Sequence, residues 1–260
     1  MESATIQGDL WGQAPHDWAT LLEPMHRPLW EAMLDVALVT SGRRILDVGC
    51  GAGGASVLSA ERGALVSGLD AAAGMVQIAR ARIPAGDFRV GDMENLPYED
   101  NLFDVVFAAN ALQYSADWVG TLREFGRVCR PGGRIVAGLF GPPESVAFST
   151  VLTAVRNILP QPPPAAGPFE LSQPGKLESL FTEAGLNVLQ SGDVDCPYLH
   201  PDFETFWQAQ SSAGPFQSAL RATAKEKLQL AVREAIEQYR LDDGAIHIQP
   251  NVFKYVVADL

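Results

Sequence analysis

The stretch Ile45-Leu46-Asp47-Val48-Gly49-Cys50-Gly51-Ala52-Gly53-Gly54 limits what this chain can fold into more than any other segment. An apolar strand that runs into a glycine-rich turn and then a helix leaves bare backbone N–H groups facing a ligand, because glycine makes the sharp turn and has no Cβ in the way. Around it, apolar runs at 44–48, 65–69, 88–90, 103–108 and 133–139 alternate with amphipathic stretches at 55–61, 75–82 and 118–128. That rhythm predicts parallel strands joined by right-handed crossover helices, an α/β architecture.

The flanks differ in character. Residues 1–43 hold Trp11, Trp18 and Trp30 and a helix-like stretch at 24–39, with Pro24 and Pro28 near its start, where proline is tolerated. Beyond Gly141 the rhythm breaks at 141–143 and again at 160–168, a Pro- and Gly-rich passage that reads either as a surface linker or as the edge of a lid. A helix at 176–184 ended by Gly185, a strand at 186–195 and helices at 203–213 and 216–239 follow. The last helix sets Leu220, Ala224, Leu228, Ala231, Ala235 and Tyr239 three or four residues apart. A final strand at 245–257 is interrupted at Pro250. The expected organisation is one domain: an N-terminal cap (1–43), a cofactor-binding core (44–141), a lid and insertion with the sixth strand (142–244), and the last strand (245–260).

Charge removes several functions. Nineteen Lys and Arg stand against 31 Asp and Glu, a formal charge of −12, so nucleic acid and anionic membrane meet net repulsion unless the cations cluster. The nearest approach to a basic run, Arg123, Arg127, Arg130 and Arg134, is diluted by Glu124, Gly and Pro. No apolar run reaches the roughly 18 residues of a membrane span. The acidic start of the chain is unlike a secretory leader, and a cytoplasmic location is expected. Cys50, Cys129 and Cys196 are far apart and form no CxxC, which indicates neither a disulfide framework nor a metal site.

Gly49, Gly51 and Gly54 satisfy GxGxxG, and Asp70 lies about 20 residues further on, where a carboxylate accepts hydrogen bonds from both ribose hydroxyls of an adenosine. Asp47 narrows the cofactor. A carboxylate just before the glycine turn repels a pyrophosphate and attracts an ammonium or sulfonium. An NAD-dependent oxidoreductase remains an alternative, weakened by Asp47 and by the lack of any Tyr-x-x-x-Lys pair. A non-catalytic cofactor-binding module is a second alternative.

Taken together, ILDVGCGAGG with Asp70, GDMENLPYEDNLFDVVFAANAL and RVCRPGGRIVAG resemble the class I methyltransferases that use S-adenosylmethionine, in the branch acting on small molecules. The resemblance covers roughly residues 40–140. It implies a Rossmann-like sheet of seven strands, mostly parallel with the last strand antiparallel, helices on both faces, and a helical insertion between strands six and seven. It also implies that Asp47, Gly49, Cys50 and Gly51 face the methionyl end of the cofactor and that Asp70 grips the ribose. Ala71 and Met75 would pack on the adenine, with plain helix core an equal reading for Met75. Asp92 would accept from the exocyclic amine, unless it caps a loop, and Met93 would lie beside the ring. Asn110 would stand at the mouth of the site, with Gln113 and Tyr114 bordering the methyl group.

Methyl transfer from a sulfonium needs alignment and water exclusion above all, and a base only when the acceptor carries a proton to be lost. His26, in the Trp- and Pro-rich N-terminal segment, is the first base candidate and Tyr114 the second; His16, His200 and His247 are the other histidines. Trp11 and Trp18 are candidates to wall the acceptor pocket or to stack near the sulfonium, with helix packing as the plainer reading. The expected partner is a small-molecule acceptor, such as a secondary metabolite or a quinone-like compound. The sequence does not distinguish methylation at O, N or C, nor does it fix the oligomeric state.

Overall fold

The computed structural model describes residues 2–161 and 167–260. Helix α1 (Glu2–Trp11) and the short α2 (Pro15–Asp17) lead through a π-helical turn (Trp18–Leu22) and a 3-10 turn (Glu23–His26) into α3 (Arg27–Val36). The core follows as β1 (Arg44–Val48), α4 (Gly54–Glu61), β2 (Leu65–Asp70), α5 (Ala73–Arg82), β3 (Asp87–Val90), β4 (Phe103–Ala109), α6 (Trp118–Val128) and β5 (Cys129–Phe140). After it come α7 (Ser149–Ile158), α8 (Lys176–Glu183), β6 (Asn187–Asp195), β7 (Tyr198–His200), α9 (Phe203–Ser211), α10 (Gly214–Ala222), α11 (Lys225–Ile236), β8 (Ile246–Ile248) and β9 (Val252–Asp259).

Seven strands form one sheet in the order β3-β2-β1-β4-β5-β9-β6. β1 to β5 pair in parallel, and β9 runs antiparallel to both of its neighbours. Both faces are covered, so the central strands are mostly apolar, with Asp47 in β1 and Asp104 in β4 as buried exceptions, and successive residues serve opposite layers. Ile45, Val105 and Phe107 pack with Leu29 and Met33 of α3 and Val76 and Ala79 of α5. Leu46, Val106 and Ala108 pack with Leu122 and Phe125 of α6 and Phe181 of α8. The order reverses between β1 and β4, and this opens a crevice at the carboxyl ends of the strands, where ligands bind in such sheets.

The expected strands and helices of the core appear with ends shifted by a few residues. Three expectations outside it need correction. The stretch at 216–239 is two helices, broken where Thr223 and Ala224 are extended. The buried residues explain the break. Ala219 and Leu228 are nine positions apart, which is half a turn out of phase at 3.6 residues per turn, so one straight helix could not bury both. The stripe that faces the core in α11 is Leu228, Val232 and Ile236, and of the expected stripe only Leu228 is buried. The stretch at 245–257 is likewise two strands in different sheets, since β8 pairs with β7 in a separate two-stranded ribbon while β9 joins the main sheet. The stretch at 24–39 begins as a 3-10 turn and becomes α-helical only from Arg27. Of the Pro-rich passage at 160–168, residues 162–166 lie outside the described residues, and Gly167–Ser172 form a 3-10 turn.

Phe125 is fully buried between α6 and the sheet, away from the crevice. Phe125→Ala is expected to lower stability by about 3–5 kcal/mol, read as a fall in the urea midpoint.

Candidate active site

The crevice holds three connected spaces. The largest, about 750 Å³, is lined by Gly49, Gly51, Asp70, Ala71, Met75, Asp92, Met93, Asn110 and Tyr114 from the strand ends, and by Ser3, Gln7 and Trp11 from α1 above them. A recess of about 340 Å³ beside it is lined by Glu23, His26, Trp30, Asp47, Cys50 and Gly51. A chamber of about 500 Å³ lies on the other side, among Trp11, Trp18, Leu22, His26, Gln113, Phe140, Phe148, Tyr198, Gln210 and Phe216. Trp18 and Asn110 line all three.

The glycine loop turns as the sequence requires. Gly49 has φ +70°, and a Cβ there would lie 2.4 Å from that of Ala111. Gly51 has φ +53° and sits beneath the Trp18 indole, whose Nε1 would be 3.3 Å from an added Cβ. Asp70 ends β2 with Oδ2 aimed back at the glycine loop, where it accepts from the Gly51 N–H at 2.9 Å, while Oδ1 accepts from the Ala72 N–H at the start of α5 at 2.8 Å. A carboxylate has about four acceptor positions, so two stay open for hydroxyl donors. Asp92 Oδ1 accepts from the Glu94 N–H at 3.0 Å, which shapes the loop after β3.

Asp47 is buried in β1 and accepts from the Ser56 hydroxyl at 2.7 Å. Burial pushes its carboxyl up to about 7; the Ser56 bond offsets part of this, and the negative charges of Glu23 and Asp70 add to it. Glu23, also raised by burial, accepts from the Gly54 N–H at the start of α4 and pairs with Arg82 at 2.5 Å. The same guanidinium donates to the carbonyls of Ala52 and Ala19 and so ties the N-terminal cap to the glycine loop. Sequence patterns did not single out Glu23 or Arg82, because 59 residues separate the pair and only the folded cap joins them.

Aromatic rings wall the junction. Trp18 stacks on His26 with centroids 5.7 Å apart, and Trp11 meets Trp18 and Tyr114 edge-on at 4.9 and 5.6 Å. His26 Nε2 lies 3.0 Å from the Tyr198 hydroxyl. Burial holds the ring down at about 4, hence neutral at pH 7; the Glu23 carbonyl opposes part of that fall but makes no hydrogen bond of good geometry with Nδ1. Burial pushes the Tyr114 phenol well above its ordinary range, which leaves it protonated and a poor base. His16, His200 and His247 line none of the three spaces. Trp18 Nε1, Asn110 Oδ1, Gln113 Oε1, His26 Nδ1 and Gln210 Nε2 are buried without a hydrogen-bond partner, an arrangement that costs free energy unless a ligand completes it.

The family described as a methyltransferase domain matches residues 46–137. A methyltransferase of Streptomyces halstedii, GfsG, is 36% identical over 201 residues, covering 69% of this chain and 68% of that protein. This chain belongs to the class I S-adenosylmethionine-dependent methyltransferases. The malonyl-[acyl-carrier protein] O-methyltransferase of Serratia marcescens is 38% identical over 112 residues, 43% of this chain and 44% of that protein. The match thus spans less than half of that relative's length. In fold, the crystal structure of a Bacillus halodurans protein described as a methyltransferase superimposes with a TM-score of 0.60 at 16% identity, covering 88% of this chain and 97% of that one.

The cofactor of the family fits the residues present. The methyltransferase's glycine loop leaves a cradle that a Cβ at Gly49 or Gly51 would fill, and the recess beside it is acidic. No group of His, Cys, Asp or Glu suited to a metal occurs among the described residues, and no described helix is long and apolar enough to cross a membrane.

Two outcomes are expected. An ammonium binds best to ionised Asp47, whose carboxyl stands at about 7, so S-adenosylhomocysteine affinity rises as pH climbs through 7 and levels off above it. Calorimetry between pH 8 and pH 6 should show about a tenfold loss on acidification, and Asp47→Asn should flatten that dependence. Asp70→Asn should weaken the same binding by about 1–3 kcal/mol at pH 8, through loss of charged acceptor positions.

Proposed function

We propose that this methyltransferase moves a methyl group from S-adenosylmethionine onto a small molecule seated in the aromatic chamber. The observation that carries the reading is the convergence of cleft, recess and chamber at Trp18 and Asn110, because donor and acceptor atoms must approach to about 3–3.5 Å along one line. When bound, S-adenosylmethionine supplies an electrophilic methyl group on a cationic sulfur and departs as a neutral thioether, so no acid is needed for the leaving group.

The chain's own residues do the rest. Asp47, with Gly49, Cys50 and Gly51, holds the ammonium end in the recess, and Asp70 accepts from the ribose hydroxyls. Ala71, Met75, Asp92 and Met93 enclose the adenine. Asn110 orients groups at the mouth, and Trp11, Trp18 and Gln113 border the acceptor. The Trp18 face also suits a sulfonium. His26 takes the acceptor's proton. A base that stays neutral does not repel the cationic cofactor, and a protonated ether is a far stronger acid than an imidazolium, so even a weakened imidazole accepts the proton downhill. Tyr114 serves as wall and hydroxyl donor. The whole chain works as one domain, in which 1–43 and 142–244 shape the acceptor site around the 44–141 core.

The test is calorimetry followed by turnover. S-adenosylhomocysteine is expected to bind and NAD to give no heat; the opposite result would return the oxidoreductase reading. With any acceptor that is turned over, His26→Ala should lower kcat by about 10²–10⁴-fold while S-adenosylhomocysteine affinity stays within about tenfold. Unchanged kcat removes His26 from the mechanism.

A further inference from the structure

The ionised groups of the site are divided unevenly. Asp70, Asp92 and Glu94 line the cleft, and Glu23 and Asp47 line the recess. The chamber has neither an acid nor a Lys or Arg among its described lining residues. A carboxylate or an ammonium ion entering the chamber would lose its hydration without meeting a counter-charge, and burying an unpaired ion is strongly unfavourable.

The chamber is not inert, however. Its apolar and aromatic walls, from Leu22, Phe140, Phe148, Leu152 and Phe216, carry a sparse set of neutral polar groups that have no partner inside the protein. Gln210 is the most telling, because it is 1% exposed and its Nε2 makes no hydrogen bond. Gln113 Oε1 and Asn110 Oδ1 are unpartnered acceptors on the same lining. An occupant that satisfies both kinds must offer a donor, such as a hydroxyl, and an acceptor oxygen, such as a carbonyl.

We infer that the acceptor is a neutral, mainly apolar molecule carrying a hydroxyl that is methylated and a second oxygen that accepts from Gln210. The inference rests on the methyl-transfer reading and narrows it to O-methylation of an uncharged alcohol or phenol. In that step the hydroxyl oxygen forms the bond to the methyl carbon and the C–S pair returns to sulfur. The hydroxyl proton passes to the His26 imidazole, which Tyr198 holds by its hydrogen bond. A carboxylate acceptor, as in the name of the malonyl relative, has no cation to meet it in this chamber.

Binding to the S-adenosylhomocysteine-loaded protein tests this without turnover. The probes are 6-hydroxy-1-tetralone, which has a hydroxyl and a carbonyl; 5,6,7,8-tetrahydro-2-naphthol, which lacks the carbonyl; and 5,6,7,8-tetrahydro-2-naphthoate, which is anionic. Titration by tryptophan fluorescence or saturation-transfer NMR is expected to rank them in that order, with about tenfold between the first two. In Gln210→Leu, and in Gln210→Met as a second variant, that tenfold advantage should vanish while tetrahydro-2-naphthol binds as before. Equal or tighter binding of the naphthoate overturns the neutral-acceptor inference, and an advantage that survives both variants overturns the role of Gln210. If S-adenosylhomocysteine itself fails to bind, the methyltransferase reading fails first, so the two failures are separable.

Discussion

Three carboxylates, Glu23, Asp47 and Asp70, converge on the glycine loop, and Arg82 answers only one of them. Each is fixed by neutral donors: Asp47 by a serine hydroxyl, Asp70 and Glu23 by loop and helix N–H groups. Burial penalises the charged form of each, which is why all three have carboxyls shifted upward, and at Asp47 the negative charges of Glu23 and Asp70 add to the shift. A carboxyl whose folded pKa exceeds its unfolded value favours the fold while protonated and opposes it once pH passes the folded value. For Asp47 that window runs from about 3.8 to about 7. A cation in the recess would face the carboxyls of Asp47 and Glu23, and the proposed ammonium site rests on that acidic lining.

Much of this core could be read from the sequence because its signals are local. The strand, the glycines and the carboxylates at positions 47 and 70 lie on one short segment whose geometry the backbone itself dictates, and the cleft residues predicted from it stand together. The acceptor side was far less legible. Tyr198 and Gln210 belong to a short strand and a helix that the chain reaches only after the sixth strand, and nothing in the residues around them marks a site. They meet His26 and Trp18 because the insertion folds back over the N-terminal cap. The misplaced stripe on α11 has the same origin. Spacing alone shows that an apolar face exists, whereas the half-turn offset between Ala219 and Leu228 depends on what each helix packs against.

The division between acidic and uncharged spaces fits a reaction that transfers charge out of the site. In the proposed arrangement the ammonium stays charged beside the carboxylates and only the sulfonium loses its charge as the methyl group leaves, while the chamber, with no fixed charge among its described lining residues, neither holds the acceptor by ion pairing nor competes for the sulfonium. Specificity for the acceptor then rests on shape and a few amides, which discriminate strongly only when leaving them unpaired is costly.

Helix α1 has a further consequence. Ser3 and Gln7 roof the cofactor cleft, and the Ser3 hydroxyl donates to the Tyr114 carbonyl at 2.7 Å. Gly8 lies so close to Ala71 that a Cβ would come within 2.4 Å of its carbonyl oxygen. At its other end, Trp11 walls the chamber against Gly214, and Asp9 pairs with Arg221 of α10. One ten-residue helix is therefore a shared door to two rooms. Any displacement of α1 would open the cleft and the chamber together, since Trp11 lines both.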